Sequence, residues 1–89
     1  MGVRERKIED YFRSQIESLG GITRKIMKTN RSGFPDQLAI VHGEIYIVEV
    51  KTISGVLSSV QEREIRRLRN AGATVYVAFG REGVDNVIR

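Results

Sequence analysis

The spacing of apolar residues along the chain predicts two amphipathic helices. Between Arg4 and Leu19 the apolar side chains recur at helical spacing, and Gly20-Gly21 supplies a C-terminal cap where the pattern stops. A helical period returns between Ser58 and Ala71, and Gly72 ends it. We expect both helices to flank a sheet, because each apolar stripe needs a surface to cover.

Four apolar segments predict the strands of that sheet. Ile22 to Lys28 is a short β-like segment, and "DQLAIVH" and "EIYIVEVK" are strands joined by a tight turn at Gly43. The last strand is "TVYVAFG", and the helix before it is a crossover that lets this strand join the sheet in parallel. A weak segment, Glu82 to Arg89, closes the chain. The predicted fold is an α/β domain of order αβββαβ with a mixed four-stranded sheet.

The central hairpin carries charged residues on an apolar face. If His42-Gly43 forms the turn, Asp36 lies opposite Glu49; if Gly43-Glu44 forms it, Asp36 lies opposite Lys51. Both registers keep the three charged residues on one face. We expect that face to line the core, because it also carries Leu38, Ile40, Ile45 and Ile47. Like charges about 5 Å apart on a half-buried face are costly unless protonated, paired or bound to a cation, which suggests a divalent metal.

Polar residues also lie near the apolar stripes of both helices. Gln61 projects within roughly 40° of Ile65, so its side chain needs a partner. The same residue completes a capping box with Ser58, and the functional and capping interpretations both stay open. On the first helix, Glu5 and Glu9 fall at the edge of the stripe, where a solvated charge that suits the helix dipole is the simpler interpretation.

Length, charge and cysteine content limit the possible partners. The 89 residues fit one domain, 1–89, whose small core makes a homodimer an expectation. With Lys+Arg 15 against Asp+Glu 11, a net charge of +4 and a pI near 9.9, the chain favours polyanionic partners. The absence of Cys excludes disulfides and Cys-based zinc sites. Without a long apolar run or a signal-like N-terminus, the sequence predicts an intracellular protein with no membrane span.

The charged residues together resemble a nuclease superfamily. Pro35-Asp36 followed by Glu49-Val50-Lys51, within αβββαβ order, is similar to the PD-(D/E)xK nucleases and their restriction-endonuclease-like core. A longer pattern resembles the virus-type replication-repair nuclease (VRR-NUC) domain. That pattern consists of Gly33-Phe34-Pro35-Asp36, Glu49-Val50-Lys51, Leu57-Ser58, Gln61, Leu68 and Ala71-Gly72-Ala73.

The resemblance implies metal-dependent hydrolysis of phosphodiester bonds. The catalytic residues it implies are Glu9, Asp36, Glu49, Lys51 and Gln61. The ligands it implies for Mg²⁺, with Mn²⁺ able to substitute, are Asp36, Glu49, the Val50 carbonyl and Glu9. Lys51 would orient the attacking water, and Gln61 would position a water or a carboxylate. Spacing to the glycine that ends the first helix in the similar archaeal Holliday-junction resolvases selects Glu9 over Glu5.

Substrate contacts follow from the basic residues and from the same resemblance. The predicted phosphate contacts are Lys25, Lys28, Arg31 and the loop at Gly33. The predicted solvated face of the second helix, kept outside the site, carries Arg63, Arg66, Arg67 and Arg69. Standalone phage members of the family are homodimers associated with branched DNA such as four-way junctions. The resemblance therefore implies a structure-selective DNA endonuclease of replication, recombination or repair, acting in the cytoplasm of a bacterial host.

Two other functions are compatible with parts of the pattern. A non-catalytic nucleic-acid-binding subunit with a nuclease-like fold would suit the short chain. It would gain nothing from opposed carboxylates that repel a phosphate backbone. A small β-sheet interaction domain without a nucleic-acid role would explain Asp36 and Glu49 singly but not jointly. The nuclease is therefore the preferred interpretation.

Overall fold

The computed structural model describes residues 3–88, with side chains from residue 4 onward. Its elements are α1 (Val3–Ser18), β1 (Ile22–Lys25), β2 (Gln37–Val41), β3 (Glu44–Lys51), α2 (Ser59–Asn70), β4 (Val75–Phe79) and α3 (Gly80–Val87). The sheet order is β1-β2-β3-β4, in which β1, β2 and β3 are antiparallel and β4 is parallel to β3. This confirms the mixed four-stranded sheet, with α2 as the crossover. None of the helices described is both long and apolar enough to span a bilayer.

Two segments differ from the sequence prediction. β1 ends at Lys25 rather than at Lys28, although the Ile26 N–H still donates to the Asp36 carbonyl at 2.8 Å. The closing segment, expected to be weak, instead forms α3 directly after β4, and Arg89 lies outside the described residues. Gly80 and Gly83 lower the intrinsic helix propensity there, but burial of Val84 against the core outweighs that cost.

The β2–β3 hairpin adopts one of the two predicted registers. Val41 pairs with Glu44 and Leu38 pairs with Ile47, so the turn is His42-Gly43. Both turn residues have positive φ, 54° and 76°, as a tight turn that matches strand twist requires. The register with a Gly43-Glu44 turn was wrong. One step beyond the last ladder pair, Gln37 with Val48, lie Asp36, just before β2, and Glu49 on β3.

The main core lies on the face of the sheet that α1 and α3 cover. Its buried residues are Phe12, Ile16, Ala39, Val41, Val48, Val50, Ala78 and Val84. The prediction that the face with Leu38, Ile40, Ile45 and Ile47 lines the core was wrong at the hairpin end, where Ile40 is 36% and Ile45 is 60% exposed. On that face α2 contacts β4, and Ile65 and Val75 are buried there. Alternation did not separate the faces because both sides of these strands are apolar.

Candidate active site

Three of the predicted site residues lie at one end of the sheet. Asp36 precedes the first residue of β2, and Glu49 and Lys51 are at the end of β3, which runs antiparallel to β2. Glu49 and Lys51 share a face because side chains alternate along a strand. Glu49 is only 4% exposed, and the Lys51 Nζ lies 3.8 Å from its Oε2 atom. The fold therefore brings a buried carboxylate and an ammonium group together beside Asp36.

One carboxylate oxygen of Asp36 has no hydrogen-bond partner among residues 3–88. Its Oδ2 atom lies 3.7 Å from the Lys25 Nζ. Its Oδ1 atom is buried and, within the described part of the chain, accepts no hydrogen bond. Pro35, directly before it, is fully buried and restricts the backbone at the entry to β2. A buried unpaired carboxylate oxygen is costly, so this atom marks a place that favours a cation or a hydrogen-bond donor.

Glu9 reaches the same end of the sheet from α1. It is 9% exposed, so the interpretation as a solvated charge was wrong. The Lys25 Nζ donates to Glu9 Oε1 at 2.9 Å and to Oε2 at 3.1 Å, and it also faces Asp36. Lys25 therefore forms the ion pair to Asp36. Lys25 links two carboxylates of the site, a role that the sequence did not indicate.

Burial and repulsion by neighbouring carboxylates raise the pKa values of Glu49 and Glu9. Burial, followed by the charge of Asp36, raises the pKa of Glu49 to about 7, against the opposing effect of Lys51. Burial also raises the pKa of Glu9, although the hydrogen bond from Lys25 opposes the shift. The charge of Glu5 adds to both increases, so Glu5 lies within electrostatic range of the site. An added cation would relieve this repulsion.

The carboxylates around Lys25 raise the pKa of its ammonium group. Burial lowers this pKa, but the hydrogen bond to Glu9 and the charges of Glu9 and Asp36 outweigh burial and raise it above its ordinary value. The ammonium group therefore stays charged at neutral pH, and it offsets part of the negative charge of the two carboxylates.

Gln61 contacts both the N-terminal cap of α2 and the carboxylate of Glu49. Its Oε1 atom accepts from the Ser58 N–H at 2.9 Å, and its own N–H donates to Ser58 Oγ at 3.1 Å, which completes a capping box at the start of α2. Its Nε2 donates to Glu49 Oε2 at 3.4 Å. The first turn of α2 is therefore attached to the buried carboxylate of the site.

The donor set suits a hard divalent cation. Carboxylate oxygens such as those of Asp36 and Glu49 are the ligands that Mg²⁺ and Mn²⁺ prefer. Across residues 3–88 no group of three or more His, Cys, Asp or Glu side chains could hold a metal by itself. A cation would therefore need main-chain or water oxygens as well. Val50 lies between Glu49 and Lys51 with its side chain fully buried in the core, so only its carbonyl could serve. Glu9 is engaged by Lys25.

The basic loop between β1 and β2 leads into this site. Lys28 is exposed, and the Arg31 side chain is 55% exposed. Gly33 has a φ of 86°, and a Cβ atom there would lie 2.8 Å from the Val60 carbonyl oxygen. Close packing against α2 therefore holds the loop next to the helix that carries Gln61.

Sequence reasoning missed Glu64 and treated the arginines of α2 as one solvated group. Glu64 is 5% exposed, and Arg67 lies 3.8 Å from its Oε1 atom. Arg69 instead donates to the Val75 carbonyl at 2.7 Å, which ties the end of α2 to β4. The signal for Glu64 was its position about 40° from Leu68 on the apolar side of the helix.

Comparisons with known proteins agree with this arrangement. The model of the VRR-NUC domain matches residues 5–82. A curated protein of Acyrthosiphon pisum secondary endosymbiont phage 1, named "Putative nuclease p44", is 37% identical over 76 residues, which cover 84% of this chain and 82% of that protein. A solved structure described as a VRR_NUC domain superposes with a TM-score of 0.88 at 37% identity, covering 98% of this chain and 96% of the other.

A more distant structure shares the fold. The structure of Archaeoglobus fulgidus Hjc, a Holliday junction resolvase from an archaeal hyperthermophile, has a TM-score of 0.61 at 23% identity and covers 84% of this chain and 67% of that one. The family model, the phage relative and the solved VRR_NUC structure identify the family. The chain therefore belongs to the VRR-NUC family of nucleases.

Proposed function

We propose that this protein is a Mg²⁺-dependent, structure-selective endonuclease that hydrolyses phosphodiester bonds in branched DNA such as four-way junctions. The observation that carries the proposal is the convergence of Asp36, Glu49 and Lys51, where one buried Asp36 oxygen has no partner within residues 3–88. Membership of a nuclease family supports the reaction class. A bound Mg²⁺ or Mn²⁺ ion would supply a water of lowered pKa and would neutralise charge on the phosphate oxygens.

Residues at this end of the sheet would serve as metal ligands and would orient the attacking water. Asp36 and Glu49 would hold the cation, with the Val50 carbonyl and Glu9 as further ligands. Lys51, with a side chain 18% exposed, is placed to orient the attacking water and to offset negative charge on the phosphate. The family resemblance and the chemistry of each group at this end of the sheet support these roles.

Two residues would act through the ligands rather than on the substrate. Gln61 donates to Glu49 and would keep that carboxylate in one orientation. Lys25 lies between Glu9 and Asp36 and holds the two carboxylates together against their repulsion. Both are positioning residues under this proposal.

The basic loop would bind the substrate next to the reacting phosphate. Lys28 and Arg31 would contact the backbone, and Gly33 would allow its close approach. The net charge of +4 supports a polyanionic partner. The similar fold of Hjc, which is described as a Holliday junction resolvase, supports branched DNA as the substrate. The small core of an 89-residue domain supports a homodimer with two cutting sites. The phage origin of the named relative supports action in the cytoplasm of a bacterial host.

A cleavage assay with two variants tests the proposal. Labelled linear, splayed, flap and four-way-junction DNA are incubated with the protein in Mg²⁺, Mn²⁺ or EDTA. We expect metal-dependent cutting, fastest on the junction, which Asp36→Asn loses while it still binds DNA. Glu62→Gln, which removes an exposed acid in the first turn of α2, should cut like the wild type. Tight junction binding without cutting in any metal would instead favour a non-catalytic binding subunit.

A further inference from the structure

A second charged cluster lies beside the active site, between the basic loop and α2. At its base is Glu64, which is 5% exposed. Its Oε1 atom lies 3.5 Å from the Arg31 Nε and 3.8 Å from an Arg67 guanidinium nitrogen, and within the described residues it accepts no hydrogen bond. Arg63 lines the same hollow. The proposed nuclease chemistry uses none of the three α2 residues.

The cluster carries excess positive charge that faces solvent. Two guanidinium groups lie within 4 Å of the Glu64 carboxylate, and their side chains, those of Arg31 and Arg67, are 55% and 60% exposed. Arg63 adds a third positive charge to the same hollow. The desolvation cost of a buried carboxylate can exceed what its ion pairs return, so the cluster is weak evidence for a purely stabilising role of Glu64. A fixed negative charge below flexible arginines does restrict where their guanidinium groups lie.

We infer that Arg31, Arg63 and Arg67 form a second phosphate-binding surface for the same DNA molecule, with Glu64 as the positioning residue beneath it. The inference deepens the proposed function and rests on it for the identity of the ligand. Guanidinium groups bind phosphate oxygens through paired hydrogen bonds, and phosphate contacts position a protein on DNA without reading the base sequence.

The position of the surface relative to the active site supports one continuous ligand. Gln61 touches Glu49, and Glu64 and Arg67 follow on α2 at helix rises of about 4.5 and 9 Å. Successive phosphates of one duplex strand advance about 3.4 Å along the axis. A strand that ran parallel to α2, with its reacting phosphate at Glu49, would therefore bring phosphates one to three nucleotides away level with these arginines along the helix axis. Packing of Gly33 against Val60 fixes the loop that supplies Arg31.

Binding measurements in an inactive background test the surface. The Asp36→Asn protein is titrated in EDTA against fluorescently labelled junction DNA from 50 to 300 mM salt. We expect Arg63→Gln and Arg67→Gln each to weaken binding about 3- to 10-fold at 100 mM salt. Each should also lower the slope of log Kd against log salt by about 0.9, because one phosphate contact is lost.

Arg13→Gln is the matched control. Arg13 is 54% exposed on α1 and pairs with Asp10 three residues earlier, as Arg67 pairs with Glu64, but it lies outside the cluster. The Kd of Arg13→Gln for junction DNA should stay within twofold of the Kd of the Asp36→Asn protein without a further substitution. If the α2 variants match this control in both affinity and salt slope, the inference is overturned.

Glu64→Gln tests whether Glu64 positions the arginines or only neutralises part of their charge. The substitution raises the net charge by one, so general electrostatics alone would tighten DNA binding. If Glu64 orients the arginines, binding should weaken at least threefold and the salt slope should fall, with thermal melting confirming a folded protein. Tighter or unchanged binding would overturn its positioning role.

The outcomes separate this inference from the proposed nuclease activity. If the wild-type protein cuts DNA but the α2 arginine variants bind like Arg13→Gln, the second surface is wrong and the nuclease stands. If no metal supports cutting but the arginine variants still lose affinity, the nuclease is wrong and the surface stands.

Discussion

Gln61 connects the first turn of α2 to the buried carboxylate of Glu49. Its Nε2 donates to Glu49 Oε2 at 3.4 Å, while its Oε1 accepts from the Ser58 backbone N–H at 2.9 Å. One side chain therefore satisfies a free N–H group of the helix and orients a candidate metal ligand. The stability of the helix end and the geometry of the site are coupled through this residue.

Gln61→Ala should reduce both stability and activity. Loss of the capping contact should cost about 1 kcal/mol of unfolding free energy. Loss of the hydrogen bond to Glu49 should lower the cleavage rate about 10- to 100-fold, as is typical for residues that hold a metal ligand. Ser58→Ala is the control, because it removes the cap but leaves the amide contact with Glu49. If the unfolding free energy and the cleavage rate fall equally in both variants, a separate role of Gln61 at Glu49 is contradicted.

Lys25→Gln should impair cleavage more than DNA binding. Its ammonium group is engaged with Glu9 and Asp36, so the variant leaves two neighbouring carboxylates without a countercharge. We expect at least a tenfold loss of cleavage rate. The Kd for junction DNA in EDTA should change less than threefold. Lys28→Gln, an exposed lysine of the same segment, should show the opposite pattern. If Lys25→Gln mainly weakens binding, Lys25 contacts phosphate and the positioning role is wrong.

The stability of the metal-free protein should fall as pH rises from 4.5 to 7. Glu49 has an ordinary pKa of 4.5 when unfolded and about 7 when folded, so the unfolded state loses its proton first over this range. The stabilisation is complete below pH 4.5 and is lost as pH passes 7, at a cost on the order of 3 kcal/mol. Denaturant melts in EDTA should show a steeper decline for wild type than for Glu49→Gln. If the unfolding free energies of the two proteins decline equally with pH, the raised pKa of Glu49 is contradicted.

Divalent metal should raise the melting temperature through Asp36. A cation present at ten times its Kd stabilises the folded state by about 1.4 kcal/mol, which shifts the melting temperature of so small a domain by several degrees. Asp36→Asn should abolish the shift produced by Mg²⁺ or Mn²⁺. Asp10→Asn, which alters an exposed acid paired with Arg13, should retain it. Equal shifts in both variants would place the cation elsewhere.

Gly33→Ala should destabilise the protein more than Gly20→Ala. The two glycines have nearly the same φ, 86° and 85°, so the strain of a left-handed backbone, roughly 1–2 kcal/mol, is common to both. Only at Gly33 would the new Cβ meet another atom, the Val60 carbonyl oxygen at 2.8 Å. The extra loss in denaturant melts measures this contact. Equal losses would mean that the loop can move away from α2 without cost.

The sequence carried enough local information for most of the fold. Helical spacing and Gly20 defined α1, Ser58 defined the start of α2, and a tight turn near Gly43 limited the hairpin to two registers. The sequence did not predict α3, because the glycines of this segment lower its local helix propensity. Burial of Val84 stabilises the helix instead. Periodicity in β2 and β3 could not identify the core face, because a helix covers each side of the sheet.

The sequence also predicted which site residues lie together, but it did not predict their hydrogen-bond and ion-pair partners. Alternation along β3 puts Glu49 and Lys51 on one face, and antiparallel pairing brings Asp36 to the same end, whichever register forms. Glu9 and Lys25 are sixteen positions apart, and nothing in their local pattern indicates the 2.9 Å contact between them. Likewise, the local pattern around Glu64 does not reveal that Arg31 lies against it.

The sequence by itself determined every element except α3, the family, and the end of the sheet where the charged residues meet. These features depend on interactions between near neighbours or on strand alternation, which a linear pattern records. Only the tertiary structure decided which carboxylates are buried, which ammonium group balances each of them, and that Asp36 keeps one oxygen unpaired within the described chain. Those features depend on how α1, the basic loop and α2 pack around the sheet, because burial and charge pairing are set by distances between residues remote in sequence.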